Sequence, residues 1–256
     1  MSGAPVTATM LTFQPMIDSE TARLVARHYG IAVAERDHLL VCAALHTLLH
    51  GGYGRIPLLF GAGFALTGPY AIAQHFDAAL PAPDRLIPDA EPLAAEVAAD
   101  WARYNGAMGT DVAVVAYHHL LPERALMQPI FAAPVTRLEV RLLPLTYPLL
   151  RGLITLALGL SAARAAVATL RIRTAFDATD QRIADGRRYL VGDRLTIGDI
   201  ALCGAAAPLL LPRGYGALMP PLAAMPPALR TLIEEFRARP TAAFVQRLYD
   251  SGFTAG

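Results

Sequence analysis

Residues 54–70 read Gly-Arg-Ile-Pro-Leu-Leu-Phe-Gly-Ala-Gly-Phe-Ala-Leu-Thr-Gly-Pro-Tyr. Two short apolar runs, Pro57 to Phe60 and Phe64 to Thr67, flank the glycine turn Gly61-Ala62-Gly63. That spacing predicts a β-hairpin, since a glycine-bearing loop between β-prone runs turns the chain back on itself. A helical pattern from Pro69 to Asp77 follows at once. Upstream, a β-prone run at Thr9 to Phe13 precedes a helix from about Glu20 to Tyr29, with Asp18 or Ser19 as its cap and Gly30 as its stop. A strand at Ile31 to Ala34, a helix near Val41 to Leu49 and a loop carrying Gly51, Gly52 and Gly54 complete the stretch.

The order βαβ, then αββα, is that of a thioredoxin-like fold, expected over residues 1–80. A proline-rich linker at 81–90 separates it from 91–256, where every pattern is helical and no hairpin recurs. Helices are expected at Glu91 to Leu121, Ala162 to Ala184, Thr196 to Leu211, Pro227 to Arg237 and Thr241 to Tyr249, around a proline-broken middle. The fold class is therefore α/β followed by all-α.

Composition narrows the function. Of 256 residues, 54% are hydrophobic and 17% charged, enough apolar material for a large ordered core. A net charge of +1 with no basic run argues against a nucleic-acid partner. All the basic residues are arginine, which excludes a phosphate loop ending in Gly-Lys-Ser/Thr and Schiff-base lysine chemistry. Cys42 and Cys203 are far apart and share no metal or redox spacing, and the histidines lack a metal-binding pattern, so no metal is expected. The start of the chain lacks the pattern of a secretory signal, and a cytoplasmic location is expected. Leu142 to Leu160 is about long enough to span a bilayer, but Arg151 at its middle and Pro144 and Pro148 favour a buried or partly exposed helix pair over an integral membrane span.

Three segments together resemble the glutathione transferases, over nearly the whole chain. Residues 54–60, GRIPLLF, resemble that family's Gly-x-Val-Pro-x-Leu segment, whose cis proline exposes a main chain that pairs with glutathione. Residues 65–76, ALTGPYAIAQHF, resemble its strand-to-helix segment. Residues 190–202, LVGDRLTIGDIAL, are close to its helical-domain signature, and Thr196 and Asp199 are spaced for a capping box that serves folding.

The resemblance implies an N-terminal glutathione-binding domain, a C-terminal helical substrate domain and a homodimer in which each first domain packs on the other's helical domain. It implies glutathione as co-substrate, held by Arg55, Ile56, Pro57, Thr67 and Gly68. Gly68 and Pro69 stand where the family has a Glu/Ser pair for the γ-glutamyl group, and Pro69 removes an N–H as well. Either the Thr67 hydroxyl substitutes or that recognition is weakened. Met16 falls at the usual thiol-activating position, which leaves Ser19 as the candidate catalytic hydroxyl or as a plain N-cap, with Thr12 and Gln14 as fallback donors. Arg23 faces the glutathione site, a dimer cleft or, most commonly for arginine, the surface. Trp101, Tyr104 and Met108 are the residues expected to line the substrate pocket.

Two kinds of function follow. One is a detoxifying enzyme that transfers the glutathione thiol to an apolar electrophile, or a glutathione-dependent isomerase or lyase. The other is a non-catalytic binding protein on the same fold. The long apolar segment 123–161 would be a lid, a dimer contact or a membrane-facing patch.

Overall fold

The hairpin read from residues 54–70 is present in the computed structural model, which describes residues 7–253. Strands β3 (Leu58–Gly61) and β4 (Phe64–Thr67) pair antiparallel, Leu58 opposite Thr67 and Gly61 opposite Phe64. Strand β1 (Thr7–Thr12) runs antiparallel to β3 and parallel to β2 (Ala32–Asp37), giving a four-stranded sheet in the order β2-β1-β3-β4. Between the strands lie α1 (Ile17–His28) and α2 (Leu40–Leu49), and α3 (Pro69–Asp77) follows β4. This is the expected thioredoxin-like arrangement. The Ile56–Pro57 peptide is cis.

Helix α1 starts earlier than the expected Glu20. Met16 is its N-cap and makes no side-chain hydrogen bond there, so Ser19 lies inside the first turn and not at the cap. The segment after α3 is pinned to it: the Asp77 carboxylate accepts from the Leu86 and Ile87 N–H groups, each at 2.9 Å.

The rest of the described chain is helical. Helix α4 (Leu93–Trp101) runs into a π-helical segment, Ala102–Met108, and on into α5 (Gly109–Leu120). Then come α6 (Arg124–Ala132), α7 (Arg137–Leu158), α8 (Ala162–Arg182), α9 (Ile197–Leu210), α10 (Pro227–Arg237) and α11 (Pro240–Asp250). The expected capping box opens α9: Asp199, fully buried, accepts from Thr196 N at 2.9 Å and from Leu190 N at 2.7 Å. Every residue of α9 is buried, as a helix that is apolar on all sides must be. It packs against α1, α4 and α5. At the α1 contact an added Cβ on Gly204 would lie 2.2 Å from Thr21 Oγ1, so only glycine lets the two helices approach this closely.

The proline-broken middle proves helical, and Leu142 to Leu158 belongs to one helix, not to a pair. Pro148 has no N–H to offer the Pro144 carbonyl one turn earlier. Arg124 Nη2 donates to that carbonyl instead, at 2.7 Å, and its guanidinium lies over the Tyr147 ring. A capping box between Thr136 and Glu139 starts α7, and Gly159 in the left-handed region (φ 57°) ends it. By length and composition alone α7 could cross a membrane, but its inner stripe is buried in the protein.

Glu139 also ties α7 to the sheet domain. Its carboxylate accepts from the Leu39 N–H at 2.9 Å and from His38 Nδ1 at 3.1 Å. Burial pushes this carboxyl up, but the hydrogen bonds from Thr136, Leu39 and His38 outweigh it and hold it below its ordinary value of 4.5. A carboxyl depressed in the folded state contributes stability that is present above its unfolded value and lost as pH falls through its folded one. Urea unfolding across pH should therefore show stability falling below about pH 4.5. Glu139→Gln should be less stable at neutral pH and lack that part of the acid loss; an unchanged pH profile would remove Glu139 from this role.

Candidate functional site

Helix α1 points its first turn at a cavity of about 290 Å³ between the sheet domain and the helices, close to the lower end of small-molecule sites. One wall is Phe13, Pro15, Met16, Ile17 and Asp18. The π-helical segment and α5 supply Asn105, Gly109, Thr110, Ala113 and Tyr117, while Met127, Ile154 and Leu158 of α6 and α7 close the far side. Helices α6 and α7 thus form part of the cavity wall. The Ile17 and Asp18 N–H groups are at helix positions with no intrahelical acceptor and have no partner among the described residues.

The lining is mostly apolar, with a few polar groups. Asp18 is its only charged residue; burial pushes its carboxyl up, against a 3.3 Å hydrogen bond from Asn105 Nδ2. Burial likewise raises the phenols of Tyr117 and Tyr215 above their ordinary value. Asn105 Oδ1 and the Tyr215 hydroxyl are buried with no hydrogen-bond partner among the described residues.

The hydroxyl expected to activate a thiol is elsewhere. Ser19 is fully buried, donates to the Phe13 carbonyl at 3.3 Å and does not line the cavity. The fallback donors are also engaged. Thr12 donates to Asp37 and Glu35, and Gln14 bonds Asp37 and the Leu218 N–H. Arg23 is not at the surface: it is buried against Glu35 and Glu20, with Asp37 at 4.0 Å. Glu20 in turn accepts from Tyr249 and from the Gly216 N–H, so this cluster joins α1 to the C-terminal helices.

Nor do the three expected pocket residues line the cavity. Tyr104 is fully buried and bonds Thr179 at 3.0 Å, Met108 is core, and Trp101 packs on Tyr70 of α3 with ring centroids 5.1 Å apart. The expectation assumed α-helical spacing. The π-helical turns between residues 102 and 108 shift that phase, turning Asn105 toward the cavity and Tyr104 into the core. Nothing in the residue types signals this change of pitch.

The expected glutathione residues do gather, at the junction of β3, β4 and α3. Thr67 pairs with Leu58, and Gly68 N–H donates to the Pro57 carbonyl at 2.9 Å. Gly68 caps α3 in a positive-φ conformation (83°) with no side-chain bond, and Pro69 follows at its first position. The N–H groups of Tyr70 and Ala71 remain without a partner among the described residues. Ile56 is half-buried and Arg55 exposed. No group of three or more His, Cys, Asp or Glu side chains that could hold a metal occurs among the described residues.

The sequence matches no protein-family model and none of the curated proteins. Its structure is similar to many solved ones. A glutathione S-transferase from Sinorhizobium meliloti 1021 superposes with a TM-score of 0.54 at 18% identity, over 93% of this chain and 91% of that one. A glutathione S-transferase from Methylobacillus flagellatus with glutathione bound gives 0.52 at 18%, over 93% and 98%. The beta-etherase LigF from Sphingobium sp. gives 0.56 at 14%, over 94% and 99%. The chain has the glutathione S-transferase fold: a thioredoxin-like domain followed by an all-helical one.

The Tyr215 hydroxyl, unpartnered among the described residues, and the bonded Tyr104 hydroxyl predict an asymmetry in stability. Tyr215→Phe removes a hydroxyl with no partner among the described residues and should leave the melting temperature unchanged or raised. Tyr104→Phe breaks the bond to Thr179 and should cost about 1 kcal/mol. Equal losses in thermal scans of the two variants would contradict this assignment.

Proposed function

We propose that the chain is a glutathione-dependent enzyme that transfers the thiol to a small apolar electrophile bound in the interdomain cavity. The observation that carries this reading is the open first turn of α1. Ile17 and Asp18, at the positive end of the helix and with N–H groups that have no partner among the described residues, line a mostly apolar cavity of small-molecule size. Backbone donors at a helix start lower a thiol's pKa as a hydroxyl would, which takes the activating role from Ser19. The cis Ile56–Pro57 turn and the free N–H groups at the start of α3 supply a main-chain edge and an anion-holding terminus for the peptide and its carboxylate. Fold neighbours with glutathione or glutathione sulfonate bound support the choice of thiol. The thiolate sulfur would form a bond to the electrophilic carbon as the leaving group departs with the bonding electrons.

Asp18 favours a second reading. A carboxylate in the same first turn opposes a neighbouring thiolate, and Gly68 N–H is already spent on Pro57. On that reading the cavity binds an apolar molecule without chemistry. Millimolar reduced glutathione separates the two. At about a hundred times its dissociation constant it stabilises by about 2.7 kcal/mol, a clear rise in melting temperature. Turnover of a thiol-reactive aromatic halide should accompany that rise and should survive Ser19→Ala, whose cost is to folding. No shift at saturation, with no turnover, would leave the binding reading alone. Loss of turnover in folded Ser19→Ala would return activation to that hydroxyl.

A further inference from the structure

Helix α7 carries a second face that the fold leaves open. Its buried stripe is Glu139, Leu143, Tyr147, Leu150 and Ile154. At about 3.6 residues per turn, Leu138, Leu142, Leu145, Leu149 and Leu156 fall within an arc of about 60° well away from that stripe. All five are 45% to 81% exposed. The row extends along about 27 Å of helix. A single solvent-exposed leucine needs no explanation, but a continuous row of this kind does.

One flank of the row is cationic. Arg137, Arg141 and Arg151, all exposed, fall on the same side of it, in an arc of about 80° between the leucines and the buried stripe. They form no ion pair among the described residues. The only acidic residue of α7, Glu139, is buried and bonded to Thr136, Leu39 and His38. A groove of about 630 Å³ joins the two features. Arg124 of α6 and Arg151 line it together with Leu156 of the leucine row, and its lining includes no acidic residue. Arg124 bonds the neutral Pro144 carbonyl, which leaves its charge uncompensated.

An apolar row flanked by cations is the pattern of a helix that lies in a membrane interface. There the leucines enter the acyl boundary while the arginines reach anionic headgroups. A second copy of the chain would answer the leucines but not the charge, because its α7 brings three more arginines and no exposed carboxylate. We propose that this face of α7 docks the protein on an anionic phospholipid bilayer, with the helix lying along the surface and the Arg124–Arg151 groove over the headgroups. The docking is independent of whether the cavity binds a thiol. Ile154 of the inner stripe lines that cavity, so the helix that meets the lipid is also one wall of the site.

Flotation of the full chain with phosphatidylcholine vesicles, with and without phosphatidylserine, tests this. Binding should need phosphatidylserine and should weaken as salt is raised, since exposed charges are screened. Arg137→Gln, Arg141→Gln and Arg151→Gln together should weaken it roughly hundredfold, at about fivefold per arginine. Leu145→Gln with Leu149→Gln should abolish it, and both variants should keep the far-UV circular dichroism spectrum. An environment-sensitive dye on Leu145→Cys, in a Cys42→Ser background with Cys203 fully buried, should shift to the blue on phosphatidylserine vesicles. A wild type that does not float, a leucine variant that still floats, or a dye that does not shift would overturn the proposal. So would a dimer that ignores the vesicles and that the leucine changes dissociate, which would give the face to a second copy.

Discussion

The structure depends on how closely α1 approaches α9. Helix α9 is buried on every side and held at its start by the Thr196–Asp199 box, so it is the fixed element of the helical half. Gly204 lets Thr21 sit where a Cβ would be, and α1 is thereby locked at the domain boundary. Its N-terminal turn is left facing α5 and the π-helical segment, and the cavity is the space between them. Buried polar groups reinforce the lock. Glu20 and Arg23 form an ionic cluster with Glu35, while Tyr249 and the Gly216 N–H reach Glu20 from the C-terminal end of the chain. Removing one partner would leave an uncompensated buried charge, so the cluster fixes the geometry more than it adds net stability.

That rigidity explains the division of labour around the cavity. Thr12, Gln14 and Ser19, the side-chain donors expected near the start of α1, are all used to hold the fold. A ligand would meet main chain at the two helix starts, one carboxyl at Asp18, and Asn105 and Tyr215 atoms without a partner among the described residues, in an apolar setting. Binding energy in such a site comes chiefly from apolar burial, with orientation supplied by few polar contacts.

Much of the fold was legible because its signals are local. Glycines at 61 and 63 announce the hairpin and Thr196 with Asp199 the start of α9, whereas the cis turn at Ile56–Pro57 is implied only by the resemblance of residues 54–60 to the glutathione transferase segment. The site was legible only in part. Met16 offers no cap signal, so Ser19 drew the cap to itself, although tertiary packing starts the helix three residues earlier. The π-helical turns shifted the phase that pointed to Trp101, Tyr104 and Met108, a change of pitch that residue types do not encode. Pro144 and Pro148 read as breaks, because the donor that repairs α7, Arg124, lies on another helix.

The most direct test of the account is an amide-resolved nuclear magnetic resonance titration of the isotope-labelled chain with reduced glutathione. The account predicts saturable shifts centred on Ile17 and Asp18 at the start of α1, Ile56 beside the cis proline, and Tyr70 and Ala71 at the start of α3. Unmoved amides at those positions, at concentrations that saturate a millimolar site, would contradict it.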